Sequence, residues 1–348
     1  MDREKIWVNR PIHHMHHHPH TTHITHPPPS TKSTMEFLNS QGEQDASVGQ
    51  WVGEGVYGNV FVVRQNNGQS YSKKVFLPQF SSSMHHERRF LEQLHHPNIV
   101  TLYGHDEEPS CTLYLEVLEK TVGQAYREEG CDHSRLLKNT LLHISHALLH
   151  LADHRIVHMD IKKDNVMLRS TGEVVLIDFG RAWYLDGDRK IQDRYWEKDE
   201  VPCGAYPLQS PEVLEILVRD YQCLKDPTKG KLRGLYFTDN HDVYCLGAMI
   251  HELVCGQYPN GNLKECQTSP KKNPTSVIDE EFAFLKALLA NADSDDYVQR
   301  ICSNLEPLPG NMMDIVIRML ERDLTKRSNA LDVYRQTRNI VVDEFFAN

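Results

Sequence analysis

Gly53, Gly55 and Gly58 stand in the run Gly53-Glu54-Gly55-Val56-Tyr57-Gly58-Asn59-Val60. Without a Cβ, such residues let backbone amides come close to an anion, and successive amides form a concavity suited to phosphate. The spacing alone is shared by unrelated folds. In a dinucleotide-binding fold a helix starts inside the glycines. Here Val60-Phe61-Val62-Val63 reads as a strand, Asn66-Asn67-Gly68 as a tight turn, and Tyr71 to Phe76 as a second strand. That context predicts an antiparallel hairpin lying over a ligand, with Glu54 in the loop and Val60 as its apolar cover. An ordinary glycine turn is the alternative.

The second strand carries adjacent lysines, Lys73 and Lys74. Side chains alternate across a strand, so only one of them faces the ligand. Lys74 shares a face with Ser72 and Phe76 and is chosen for the phosphates; Lys73 is left as a solvated neighbour. Residues 84–96 read as a helix, on which Glu87, Leu91 and Leu94 share one face. A carboxylate on an inward apolar face needs a cation. Lys74 is the natural candidate.

Further along lie His158-Met159-Asp160-Ile161-Lys162-Lys163-Asp164-Asn165 and, after the apolar strand Val174–Ile177, Asp178-Phe179-Gly180. With the glycine run, Lys74, Glu87 and His96-Pro97-Asn98-Ile99-Val100, these segments make the chain resemble the eukaryotic protein-kinase family from about Trp51 to Tyr334. They match its H-x-D-x-K-x-x-N and D-F-G patterns. Ser210-Pro211-Glu212 stands where Ala-Pro-Glu is usual, Asp242-Val243-Tyr244-Cys245-Leu246-Gly247 matches the start of the central helix, and Arg327 fits the late arginine that pairs with Glu212.

The resemblance implies an ATP-dependent transfer of phosphate to serine or threonine hydroxyls of protein substrates. Such a transfer needs positioning and charge neutralisation more than covalent help. Asp160 would accept or orient the hydroxyl proton, and Lys162 would neutralise charge on the moving phosphate. Asn165 and Asp178 would hold Mg2+, a hard cation that prefers oxygen ligands. Val60 would cover the adenine of ATP, Met167 would lie under it, and Val117 and Leu118 would form the hinge beside it. Asp242, Glu212 and Arg327 are read as architectural. The alternative is a pseudokinase-like ATP-binding scaffold that organises partner proteins. The presence of Lys74, Asp160 and Asp178 together argues for catalysis. A small-molecule phosphotransferase of related fold is disfavoured by the Ser-Pro-Glu segment and the Asp242 helix.

Four departures from the family pattern stand out. Met159 replaces the arginine that usually precedes the catalytic aspartate and pairs with a loop phosphate. Between Gly180 and Ser210 there is no Ser or Thr, only Tyr184, Tyr195 and Tyr206. The two facts agree, and imply a kinase that does not use Ser/Thr phosphorylation of this loop as its switch. Ala205 occupies the position of a usual threonine, whereas Lys162 favours the Ser/Thr class. Finally, about thirty residues separate Glu212 from Asp242, a stretch with Lys225, Lys229, Lys231 and Arg233 that reads as a solvated insertion or a docking segment.

The elements that must hold these residues follow from periodicity. Leu137, Leu141, Ile144, Leu148 and Leu151 keep a helical spacing, and Asp242 to Cys255 is apolar on nearly every side, as in a buried helix. A small β-rich part therefore precedes a larger helical part. The expected fold is α+β and bilobal, with an N-lobe over 46–118 and a mainly helical C-lobe over 119–348; 46–340 would form one kinase domain. Residues 1–45, with eight histidines between His13 and His26 followed by three prolines, read as a disordered tail. Metal binding or pH sensing is the sharper reading of its imidazoles.

With 348 residues, 25% charged and a net charge of -10, the chain is ordinary for a soluble domain and unsuited to general nucleic-acid binding. The eight cysteines are scattered without a C-x-x-C pair, which disfavours zinc and a disulfide framework. The opening residues Met1-Asp2-Arg3-Glu4-Lys5 carry no apolar run that reads as a signal peptide, and no run of about eighteen apolar residues reads as a membrane span. The expected location is intracellular, cytoplasmic or nuclear, in the host cell if the chain is viral.

Overall fold

The computed structural model describes residues 50–55, 57–64, 68–107, 111–185, 191–192, 206–225, 236–261 and 274–347. The histidine tail, the Asn66-Asn67 turn, Tyr195, Ala205, Lys229, Lys231 and Arg233 lie outside them.

The first part is a five-stranded antiparallel sheet of order β1-β2-β3-β5-β4. Its strands are β1 (Gln50–Gly55), β2 (Gly58–Arg64), β3 (Ser70–Phe76), β4 (Leu102–Asp106) and β5 (Thr112–Leu115), and helix α1 (Ser81–Leu91) crosses between β3 and β4. The helix expected over 84–96 thus starts earlier and stops sooner. A 3-10 turn over Pro78–Phe80 feeds it from the front. At the back it ends at Leu91 with Glu92 as its cap, and a short irregular stretch leads on to Pro97.

The chain leaves β5 at Leu115 and passes through β6 (Lys120–Thr121) and α2 (Val122–Tyr126) into α3 (His133–Asp153). Asp132 caps α3 by accepting from the Arg135 backbone N–H. Short strands follow: β7 (Ile156–Val157), β8 (Val166–Leu168), β9 (Val174–Leu176), β10 (Trp183–Tyr184) and β11 (Ile191–Gln192). The helical half is completed by α4 (Pro211–Lys225), β12 (Tyr236–Phe237), α5 (Asn240–Cys255), α6 (Pro274–Ala292), α7 (Tyr297–Leu305), α8 (Gly310–Met319) and α9 (Ala330–Ala347). The α+β, two-lobed architecture expected from the sequence is present.

Two apolar clusters hold the fold. The larger runs from Phe76, Met84 and Phe90 through α3 and α5 to Met319. The smaller joins Val157, Met159 and Leu185 to Val213, Leu214 and Leu217 of α4 and to Leu285 and Leu288 of α6. α4 occupies the first half of the stretch read as an insertion. Val213, Leu214, Ile216, Leu217 and Val218 are buried there, so this half is core rather than solvated surface. Helix α5 is buried on almost every side, and Gly256 ends it with a left-handed φ of 70°.

Candidate active site

Strand alternation separates the two lysines. Lys74 sits opposite Val60 on β2 and Leu113 on β5, and its Nζ lies 2.6 Å from Glu87 Oε2 and 3.1 Å from Asp178 Oδ1. Lys73 points the other way, over the Tyr114 ring. Glu87 is buried on α1. Burial drives its carboxyl upward and the Lys74 ammonium opposes that shift. Burial likewise works against the Lys74 charge, but the Asp178 and Glu87 carboxylates raise it overall. Burial also pushes Asp178 up, yet the adjacent Lys74 ammonium holds it down at about 2. Asp178 is therefore a carboxylate at neutral pH.

The glycines divide the labour of the loop. Gly53 pairs with Val60, and Gly55 with Gly58 at the turn between β1 and β2. A Cβ on Gly53 would meet nothing within 4 Å, whereas one on Gly58 would lie 1.8 Å from the Val75 carbonyl oxygen. Gly58 is thus required by the neighbouring strand. The Glu54 side chain and Val56 lie outside the described residues.

The catalytic segment is held from below. The backbone N–H groups of His158 and Met159 donate to the two Asp242 carboxylate oxygens, at 2.6 and 3.0 Å. Burial raises Asp242 to about 7 despite these donors. Met159 adopts a φ of 66°, a left-handed conformation that costs a non-glycine residue about 1–2 kcal/mol and persists where its surroundings fix it. Asp160 N–H donates to His158 Nδ1 at 3.2 Å, so the ring's proton sits on Nε2, which donates to the Ile177 carbonyl at 3.0 Å. Burial lowers the His158 pKa and keeps that ring neutral.

Asp160 Oδ2 accepts from Lys162 Nζ at 2.7 Å and from Asn165 Nδ2 at 2.9 Å. Its Oδ1 is buried without a partner. Asn165 spends its second amide hydrogen on the Asp160 carbonyl, at 2.9 Å, which leaves its side-chain oxygen as a ligand. That oxygen and the ionised Asp178 form a hard donor set, and the residues fit Mg2+.

The remaining expected residues gather on the connection between the lobes. Ser72 lies opposite Leu115, Thr121 opposite Met167, and Glu119 N–H donates to the Leu168 carbonyl. Val117 is exposed, and Leu118 packs on the larger cluster. Two nearby braces escape a reading of the sequence. Arg169 grips Glu116 bidentately, at 2.8 and 2.9 Å, and donates to the Pro97 carbonyl. Lys163, its stem against Gly123, bonds Glu252 of α5 at 2.6 Å. Each couples residues far apart in the chain, so no local pattern announces it. The architectural pair does form, with Arg327 bidentate on Glu212 at 2.7 and 2.9 Å.

Comparison with known proteins matches residues 46–337 to the family model described as protein kinase domain. Curated relatives include Aurora kinase A-B and Aurora kinase A-A of Xenopus laevis. Each is 26% identical over 226 residues, covering 62% of this chain and 48% and 49% of theirs. The dual specificity protein kinase FUZ7 of Mycosarcoma maydis is 26% identical over 219 residues, covering 61% of this chain and 44% of that protein. The chain spans about half the length of the curated relatives it matches.

Proposed function

The chain belongs to the protein kinase family, and from that premise we propose that it transfers the γ-phosphate of ATP to serine or threonine hydroxyls of protein substrates. The observation that carries this reading is the Asp160 carboxylate. One oxygen is fixed by Lys162 and Asn165, and the other is buried, unpartnered and free to accept a hydroxyl proton. Lys162 brings a positive charge beside that oxygen, suited to the charge that spreads over a transferring phosphoryl group. Lys74, held by Glu87, supplies a second cation for the phosphates. Asp178 and Asn165 would hold Mg2+, which when bound neutralises phosphate charge. Gly53 and Gly55 offer backbone without side chains above the nucleotide.

The same reading includes assembly without Ser/Thr phosphorylation of the loop after Gly180. Met159 is fully buried in the smaller apolar cluster with Leu185, Val213 and Leu214, so the side chain at this position brings no charge of its own to a loop phosphate. The Lys74–Glu87 pair is closed. The reading includes a location inside the cell, in the cytoplasm or nucleus; ATP as co-substrate supports it, as do Cys111, Cys131, Cys245, Cys255 and Cys302 as free thiols.

The test is transfer from labelled ATP with magnesium to mixed basic protein, followed by phosphoamino-acid analysis, with Asp160→Asn beside the wild type. The expected outcome is phosphoserine and phosphothreonine, with kcat lowered about 10²–10⁴-fold in Asp160→Asn and nucleotide affinity kept. Nucleotide binding with no transfer by the wild type would return the scaffold reading. Phosphotyrosine among the products would widen the residue class.

A further inference from the structure

Strand β10 carries two aromatic side chains to opposite faces, as adjacent strand residues do. Trp183 packs on the smaller apolar cluster and Tyr184 on the larger. The strand is pinned to β7, with Trp183 opposite Val157 and Tyr184 opposite Ile156, and the Leu185 N–H donates to the Arg155 carbonyl at 2.7 Å. β7 runs directly into His158 and the catalytic segment.

On its other side Tyr184 meets α1 and the turn that ends it. Its ring centroid lies 4.8 Å from that of Phe90, and the Arg89 guanidinium sits 5.0 Å over the ring. Its hydroxyl accepts from Gln93 Nε2. Two residues earlier, His86 Nε2 and the Ala182 carbonyl are 2.9 Å apart. His86, Arg89, Phe90 and Gln93 flank Glu87 before and after it in the chain. The helix that carries Glu87 is thus clamped to the strand that leads from Asp178-Phe179-Gly180, and through β7 to Asp160.

We infer that Tyr184 is a positioning residue for the transfer reaction, holding α1 in the register that keeps Glu87 on Lys74. The inference rests on the proposed phosphoryl transfer. It assigns to an unmodified aromatic side chain the task of fixing α1, in a loop whose sequence offers no Ser or Thr between Gly180 and Ser210. Without the ring, α1 can slide on the sheet, and a displacement of about 1 Å is enough to cost about 10²-fold in rate.

The test combines Tyr184→Ala, Tyr184→Phe and Glu87→Gln in the full chain. Tyr184→Ala is expected to lower kcat about 10–100-fold. Tyr184→Phe, which keeps the ring contact with Phe90 and the guanidinium contact, stays within about threefold of wild type. In the Glu87→Gln background Tyr184→Ala costs nothing further, because the pair it positions is already gone. Hydrogen exchange of the α1 amides is faster in Tyr184→Ala, while α3 and α5 are unchanged. If Tyr184→Ala folds poorly, Tyr184→Leu takes its place, keeping apolar bulk without ring or hydroxyl.

Losses that multiply in the double variant, or unchanged α1 exchange, overturn the inference. A wild type without any transfer overturns the proposed function instead, and the exchange comparison still decides the role of Tyr184.

Discussion

Met159 combines a left-handed backbone with a fully buried side chain, and both are fixed by what touches it. Asp242 binds its N–H, and the thioether lies among Val157, Leu185 and Val213. An arginine here would set its charge among these apolar side chains. Met159→Arg is therefore expected to lower stability by about 3 kcal/mol or more, as for an uncompensated buried charge, read as a lower urea midpoint at unchanged slope. The Arg327–Glu212 pair gives the converse case. Arg327 is buried and bidentate, and Glu212 is held below the usual carboxylate range because the guanidinium outweighs the burial that pushes it up. Arg327→Ala strands that carboxylate, and about 3–5 kcal/mol of stability is expected to go with it, measured by the same denaturation.

Gly58 matters through the packing of one strand on the next. A methyl group 1.8 Å from the Val75 carbonyl oxygen cannot be accommodated without parting β2 from β3. Lys74 lies on β3 immediately before Val75, so Gly58→Ala is expected to cost about 1–3 kcal/mol by overpacking and to weaken ATP binding. Calorimetry with nucleotide and a thermal scan check the two effects. Gly53→Ala, with open space around its Cβ, is the matched control for stability. The period of two on β3 was enough to choose Lys74 over Lys73 from sequence, and the spacing of Glu87 with Leu91 placed the helix that meets it. In the sequence Tyr184 stands only as one of three tyrosines between Gly180 and Ser210, because a two-residue strand is too short to show alternation. Glu252 and Glu116 carried no sign of their partners, since Lys163 and Arg169 lie 89 and 53 residues away. Half of the stretch before Asp242 was misread as solvated. Its lysines and arginines lie downstream of the run Val213-Leu214-Glu215-Ile216-Leu217-Val218, whose apolar positions are the buried ones.

Across the whole molecule, seven described histidines have lowered pKa values. Burial leads the shift at His96, His143, His146, His150, His158, His241 and His251, and His96 and His241 fall to about 4. An imidazole of ordinary pKa 6.5 in the unfolded chain takes up its proton there before the folded protein does. Stability is then fully present above about pH 6.5 and is lost as pH falls toward about 4. Asp242 and Glu87, each raised to about 7 by burial, work in the opposite direction, but as two groups against seven. The urea midpoint is expected to fall steadily between pH 6.5 and 4. A flat profile over that range would show that these rings titrate normally. The two lobes are also sewn together by β9. Val100 N–H donates to the Leu176 carbonyl, Leu176 N–H to the Asn98 carbonyl, and the Asn98 amide to Val174, 76 residues further on. On a ribosome the whole five-stranded sheet emerges long before that strand does. The half made first cannot be finished until the half made second arrives, and a nascent chain halted before Val174 would present its newest surface to chaperones and proteases.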